Sequence, residues 1–379
     1  MAFPLTRRTE TELCERLWSL LITYTLYFLE LNRSEDDFCQ AEHLDPESRG
    51  PLDGIPMRVL VVGGAGYIGS HTARVLRKHG HEVVIYDNLS TGYDFLAKGF
   101  ELVVGDMADG GKLRSVMSRA DAVMHFAALA YVGESVTNPR KYFRNNVEAS
   151  LTLLNTAMDA GVLRFVFSST CAVYGVPAKV PISEDTVRQP INPYGVSKLF
   201  FEHALEAYSH AYGLRYAALR YFNAAGADES CEIGELHDPE THLIPLALGA
   251  AQGNAPPLKI FGDDYPTSDG TCIRDYIHVN DLAEAHALAI NRLADGGESF
   301  AVNLGTGTGC SVMEIVRAVE EVTGKTVNRV MAPRRSGDPP ALVADPTRAQ
   351  QQLQWRATRS LRDIVATAWD WMQGSGSRS

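Results

Sequence analysis

The stretch RVLVVGGAGYIG (58–69) constrains this chain more than any other part of it. A short apolar run rich in β-branched residues ends in glycines at Gly63, Gly66 and Gly69, and an amphipathic stretch follows. A strand that passes through such a turn into a helix can bring its backbone close to a pyrophosphate. The helix start then offers free N–H groups and partial positive charge. A tight turn with no ligand is the plain alternative, and the strand-then-helix context makes it the poorer one. Asp87 closes the next apolar run, a little over 20 residues beyond Gly63. A carboxylate there accepts ribose hydroxyls and repels a 2′-phosphate, so NAD is expected rather than NADP. Asp106 ends the third run and is a candidate for the adenine amino group, or an ordinary turn residue after Gly105.

Similar runs recur as EVVIYDN (82–88), FELVVGD (100–106), AVMHFAA (122–128), RFVFSST (164–170) and YAALRYFN (216–223). Helical stretches at 68–79, 141–160 and 195–212 separate several of them. Apolar strands alternating with helices predict βαβ units and a Rossmann-like, doubly wound parallel α/β sheet. After Asn223 the rhythm breaks into Gly, Pro and Asp-rich sequence, with helices expected near 281–293 and 311–323 and a strand at VNLGTG (302–307). The expected organisation is an NAD-binding domain over 57–223, a smaller, loop-rich substrate domain over 224–371 with some segments returning to the first, and a tail at 372–379. A ligand cleft belongs between the two.

Net charge is −11 over 379 residues, which argues against a general nucleic-acid binder. It leaves room for one local basic pocket. The six cysteines, at 14, 39, 171, 231, 272 and 310, form no C-x-x-C pair. A disulfide scaffold and a structural zinc site are not expected, no metal is assigned, and a reducing cytoplasm fits. Residues 1–56 read differently from the body. LWSLLITYTLYFLEL (17–31) is too short for a membrane span, and residues 33–56 read as linker. The segment is an amphipathic helix or frayed tail, an anchor or partner-binding helix, or sequence ahead of a true start at Met57; the last is favoured.

Tyr194 and Lys198 stand at i and i+4, on one face of a predicted helix. A nearby ammonium favours a phenolate, which would make Tyr194 a usable base. Y-x-x-x-K alone is a common accident. The upstream fingerprint and the strand-end run Ser168-Ser169-Thr170 give it weight.

Fingerprint, strand-end hydroxyl and Tyr/Lys pair together resemble the extended short-chain dehydrogenases/reductases. GGAGYIGSHT (63–72), DNLSTG (87–92), VGESV (132–136), NPYGVSK (192–198), LRYFNAAGA (219–227), IFGDDYPTSDGTCIRDYIHV (260–279) and APRRSGDP (332–339) are similar, within that group, to the UDP-glucose 4-epimerase family. The resemblance covers roughly 57–371. It implies that Tyr67, Ile68, Asp87, Asn88, Asp106, Met107, Phe126, Ala127, Asn145, Tyr194, Lys198 and Phe222 contact NAD. It implies that Thr170 and Tyr194 flank the sugar hydroxyl, and that Asn223, His242, Phe261, Arg274, Arg335 and Asp338 hold the UDP part. Arg274 and Arg335 would supply the charge a diphosphate needs; surface salt bridges are the alternative, more so for Arg335, which has Arg334 and Asp338 close by. The implied reaction oxidises the sugar at C4, turns the 4-keto sugar, and reduces it on its other face. A homodimer is implied as well.

Three departures from the family stand out. Thr170 replaces a usual Ser and keeps the hydroxyl. Ala130 replaces a Lys that touches the cofactor phosphate in some members. Leu342 replaces a Tyr that narrows the sugar pocket in some, so UDP-N-acetylglucosamine is expected to be accepted too. Rival readings are a 4-epimerase of UDP-xylose or a UDP-uronate, and a non-catalytic NAD-binding regulator. A 4,6-dehydratase is disfavoured, because Thr170-Cys171-Ala172 lacks the two carboxylates its elimination needs.

Overall fold

The run at 58–62 becomes β1 (Arg58–Val62), and its side chains are buried on both faces. That is why it reads as continuous apolar sequence rather than alternating. A computed structural model describes residues 56–253, 255–335 and 338–375 of the chain. The readings made for residues 1–55, for Ser336 and Gly337, and for 376–379 lie outside the described residues. β2 (Glu82–Asp87), β3 (Glu101–Val104), β4 (Ala122–His125), β5 (Arg164–Thr170) and β6 (Arg215–Tyr221) follow. Then come the short strands β7 (Asn223–Ala225), β8 (Leu258–Phe261), β9 (Ile273–Arg274) and β10 (Tyr276–His278). The last are β11 (Phe300–Leu304), β12 (Cys310–Ser311), β13 (Arg329–Ala332) and β14 (Ala341–Leu342).

Seven of these strands form one parallel sheet in the order β11-β6-β5-β4-β1-β2-β3. The strand order reverses between β1 and β4, and in such sheets ligands bind outside the carboxyl ends of the strands at that point. One face is covered by the helices Tyr67–Lys78 and Val279–Ala294, which share a core with Val59, Val61, Ile85 and Leu304. Helices Gly110–Met117, Ser150–Asp159 and Pro193–Tyr212 cover the other, against Leu60, Val62, Val123, Phe165 and Phe167. Helices Leu243–Gln252, Val312–Thr323 and Leu361–Ser375 build a third core with β8 and β10.

Two differences from the sequence reading have clear causes. VNLGTG does carry a strand, but it begins at Phe300 and joins the main sheet as the edge partner of β6. The helix before it, Val279–Ala294, packs on the first helix of the fold, so residues far along the chain complete the first core. The single helix expected over 141–160 is instead a short helix Pro139–Phe143, a π-helical turn Arg144–Ala149 and the helix Ser150–Asp159. The wider turn holds Asn146, whose amide bonds both the N–H and the C=O of Leu129, each at 2.9 Å. Such turns concentrate at functional sites.

Helix ends follow the local sequence. Asn192 caps Pro193–Tyr212 by accepting from the Gly195 N–H, and Gly213, at φ +72°, ends that helix in the left-handed conformation. Ser311 and Glu314 form a reciprocal capping box on Val312–Thr323.

Burial lowers the pKa of His71, His278 and His286 to about 4. Their unfolded-state value lies near 6.5, so between pH 6.5 and 4 the unfolded chain binds more protons than the folded one. Stability is therefore expected to fall as pH drops through that window. Urea midpoints measured from pH 7 to 4.5 check this, and His286→Gln should flatten the slope.

Candidate active site

The glycine loop is fixed by close contacts. Gly63 sits at φ +81°, and a Cβ there would lie 2.4 Å from the Ala127 amide nitrogen. A Cβ on Gly69 would lie 2.2 Å from the Gly63 carbonyl oxygen. Gly66 is looser; its Cβ would stand 3.3 Å from that oxygen. Gly66 is also the N-cap of the helix Tyr67–Lys78, with no side-chain cap and no acid in the first turn. A narrow cradle whose helix amides no side chain caps fits a dinucleotide pyrophosphate. Gly69→Ala is expected to push the loop out of register. Chain loaded with NAD and desalted should then retain little of it, as measured by absorbance of the released cofactor.

Asp87 lies at the end of β2 and is buried. One carboxylate oxygen accepts from the Ala65 N–H at 2.9 Å and the other from the Leu89 N–H at 2.8 Å. Desolvation raises its pKa, against those two bonds. Asn88 donates to Asp106 at 2.9 Å, while the Asp106 carboxylate also holds the Ala108 N–H. Asp106 is thus a turn residue as well as a candidate for adenine. It shares with Asn145, Arg140, Lys141 and Arg144 a cleft of about 720 Å³. Met107 is buried among Tyr86, Leu113 and Met117, so its side chain belongs to the core. Ile68 packs on the opposite core, and Phe126 lies 4.8 Å from the His286 ring. The Tyr67 hydroxyl donates to the Gly226 carbonyl at 2.6 Å, which ties the glycine-loop helix to the segment after β7. Phe222 is buried beside Tyr174, Leu199 and Leu342.

Thr170 ends β5 and caps the turn Cys171–Tyr174. Tyr194 opens the helix Pro193–Tyr212, one turn before Lys198. The expectation that Lys198 lowers the tyrosine pKa is not met in the chain alone. Burial and the neighbouring Tyr221 raise it, and the Thr170 side chain opposes them. Lys198 is itself buried, and desolvation lowers its pKa to about 7. Its ammonium donates to the Ser168 carbonyl at 2.9 Å and lies 4.8 Å from the Phe167 ring. Each group resists charge in a dry setting. A phenolate and an ammonium on one helix face stabilise each other there only as a pair.

Sequence reasoning missed the residues that hold this pair. Asn146 bonds Ser197 at 3.1 Å, next to Lys198, while clamping Leu129. Ser168 shares a 2.5 Å hydrogen bond with Tyr221, and Ser169 donates to the buried Glu202 at 2.5 Å. The strand-end hydroxyl run was the visible signal; its partners sit about 30 to 50 residues away and carried none.

On the substrate side, Arg274 donates to Asp338 at 2.6 Å and to its neighbour's carbonyl at 2.7 Å. Arg335 stacks on Phe261, with its guanidinium carbon 4.0 Å from the ring centre. The Asp338 N–H reaches the Arg335 carbonyl at 3.3 Å, so the four residues form one group. The salt-bridge alternative weighed more heavily for Arg335 applies to Arg274 instead. The salt bridge with Asp338 falls to Arg274, and Arg334 pairs with Asp264 instead. Asn223 begins β7 and its N–H bonds the Asp275 carbonyl at 3.0 Å. His242 joins a different cluster, with Nδ1 2.8 Å from Glu235 and 2.9 Å from Glu240. Ala130 is exposed, and Leu342 is paired with Arg274 across β14 and β9.

Residues 59–305 match the NAD dependent epimerase/dehydratase family. A UDP-glucose 4-epimerase of Rhizobium meliloti is 51% identical over 315 residues, 83% of this chain and 96% of that protein. A crystal structure of UDP-glucose 4-epimerase from Brucella ovis in complex with NAD is 53% identical, with a TM-score of 0.81 over 83% of this chain and 97% of that one. One from Bifidobacterium longum in complex with NAD+ and UDP is 37% identical, with a TM-score of 0.80 over 84% of this chain and 99% of that one. With these matches over most of its length, and with a parallel sheet and a glycine cradle at its switch point, this chain belongs to the NAD-dependent epimerase/dehydratase family.

Proposed function

We propose that this chain is a UDP-glucose 4-epimerase that interconverts UDP-galactose and UDP-glucose with bound NAD. The observation that carries the reading is the hydrogen bond between Thr170, at the carboxyl end of β5, and Tyr194, with the Lys198 ammonium held on the Ser168 carbonyl of the same strand end. Incubation with UDP-galactose and detection of UDP-glucose tests it; absence of conversion by NAD-loaded protein would sink it.

When bound, NAD supplies the hydride chemistry at C4 of the sugar. The chain's residues do the rest. Gly63, Gly66 and Gly69 admit the pyrophosphate, and Asp87 receives ribose hydroxyls while repelling a 2′-phosphate. Asn88, Asp106, Met107 and Asn145 flank the adenosine half. Tyr67, Ile68, Phe126, Ala127 and Phe222 line the rest of the cofactor site. Tyr194 takes the proton of the 4-hydroxyl, directly or through Thr170, with Lys198 supplying the compensating charge. Arg274, Arg335, Asp338, Phe261 and Asn223 hold the UDP part, so the 4-keto sugar can turn without leaving; the His242 side chain, expected with them, faces Glu235 and Glu240 instead. Because Arg335 has a ring rather than a carboxylate beneath it, it is the more available cation for the diphosphate. Without a lysine at position 130, one phosphate contact is missing.

A domain division at Asn223, with 279–304 returned to the NAD side, fits this allocation. Exposed Val196 and Phe200, one turn apart on the helix that carries Tyr194, suit the expected homodimer. Among the described residues no helix is long and apolar enough to cross a membrane. A cytoplasmic site of action agrees with the nucleotide-sugar substrate.

Leu342 favours a broader substrate range. It packs beside Phe222 and pairs with Arg274, where a tyrosine would project further toward the sugar. UDP-N-acetylglucosamine is expected to turn over alongside UDP-glucose. Leu342→Tyr should lower kcat/KM for the acetamido sugar by on the order of tenfold or more while sparing UDP-glucose. Equal effects on both sugars would count against this role.

A further inference from the structure

We propose that Glu235, His237, Glu240 and His242 form a closed, four-ligand site for a divalent first-row cation, zinc first among them. Each offers one ligand atom, and the four atoms lie within 4.8 Å of one another. Nδ1 of His242 is 2.8 Å from Glu235 and 2.9 Å from Glu240. Nδ1 of His237 is 3.3 Å from Glu235 and 3.6 Å from Glu240. Donors placed tetrahedrally about 2.0–2.1 Å from zinc stand roughly 3.3 Å apart; the histidine–glutamate separations lie on either side of that value, with Glu240 presenting Oε1 to His242 and Oε2 to His237, so the side chains close in by a fraction of an ångström when the ion binds. Two imidazoles and two carboxylates are a donor set that suits zinc.

Two histidine–glutamate ion pairs are the competing account. The His242 distances suit it. The His237 distances do not, because charge-assisted hydrogen bonds run at about 2.7–2.9 Å. The Nδ1 atom of His237 faces both carboxylates at these longer separations. The surroundings also hold the ligands in place. Glu240 Oε1 accepts from the backbone N–H of Thr241 at 2.7 Å and of His242 at 2.8 Å. Outer contacts of this kind fix a carboxylate before the ion arrives.

Position gives the site its role. The cluster lies in the connection between β7 and the helix Leu243–Gln252. The His237 ring meets Tyr67 edge-on at 6.3 Å and Tyr131 at 6.4 Å, and the Tyr131 hydroxyl donates to the Pro239 carbonyl at 3.0 Å. A bound ion would clip this connection against the start of the glycine-loop helix and the segment after β4. Four protein ligands leave no open position, so the ion is structural. The signal in the sequence is Glu235-x-His237-x-x-Glu240-x-His242, a spacing that carries no cysteine. The site stands whichever sugar the chain acts on.

The full chain is stripped with chelator, loaded with zinc chloride, desalted, and its metal counted by mass spectrometry. One zinc per chain is expected, with a rise in melting temperature that chelator reverses. Cobalt in its place should give the visible absorption of a tetrahedral site. The double variant Glu235→Gln/His237→Ala should hold almost no zinc and lose the melting shift, while exposed-surface His210→Ala keeps both. Wild-type chain that retains no zinc, or a double variant that retains as much as wild type, overturns the site. If the double variant does not fold, the wild-type cobalt spectrum decides, and an octahedral or absent spectrum counts against it.

Discussion

Tyr194→Phe is expected to lower epimerase turnover by about 10²–10⁴-fold, the range that a positioned acid–base group supplies. The loss should fall on kcat, with KM for UDP-galactose changed little and NAD retained. The phenol has no substitute in the site. Thr170 can pass a proton on but cannot hold the resulting charge, and burial already opposes charge on both Tyr194 and Lys198. Removing the hydroxyl therefore removes the acceptor and leaves a lysine whose neutral form burial already favours. Turnover and co-purified NAD measured on one preparation check this. Full turnover by Tyr194→Phe would remove the assigned base, and loss of NAD with it would move the residue from catalysis to cofactor binding.

Glu202→Ala is expected to cost about 3–5 kcal/mol of stability, the penalty for stranding a buried partner charge. Glu202 is 1% exposed and Arg220 is 3% exposed. The carboxylate receives Arg220 Nε at 2.9 Å and Nη2 at 2.7 Å, Arg188 at 3.1 Å and the Ser169 hydroxyl at 2.5 Å. Arg220 continues to the Tyr174 hydroxyl, which donates to Asn303 on β11. The network thus ties the Tyr/Lys helix to β5, β6 and the edge strand of the sheet. In a chain this size the loss should lower the melting temperature by on the order of 10 °C. Glu202→Leu with Arg220→Met should recover much of it, because a buried ion pair is often no better than apolar residues of similar volume. A melting temperature unchanged in the single variant would show that the pair is idle. Since Ser169 adjoins Thr170, turnover is a second readout of the same contact.

Much of the site was legible because its signals are local. Gly63 and Gly69 are required by clashes with residues 127 and 63, yet the need appears in sequence as a glycine spacing after an apolar run. Asp87 is found by counting, since β1, one helix and β2 have nearly fixed lengths. Tyr194 and Lys198 are found because one helical turn is four residues. What was illegible depended on long-range pairing. Nothing near Ser169 announces Glu202, and nothing near Leu129 announces Asn146. The pairing of the arginines was illegible for the same reason. Asp338 is near Arg335 in sequence, but its carboxylate faces Arg274, 64 residues away.

The strand–turn–helix cradle, the preference for NAD, the spacing of Tyr194 and Lys198 and the parallel sheet follow from residues near one another in the chain, through periodicity, steric need or spacing within one unit of structure. The distribution of charge in the site comes from contacts that folding alone creates. Folding set both Tyr194 and Lys198 where desolvation opposes their charged forms, paired Arg274 with Asp338 while Arg335 stacks on Phe261, and turned Glu235 to His242 back on themselves into one cluster. Burial and contact between distant residues set those energies, and neither is written in any one stretch of the chain.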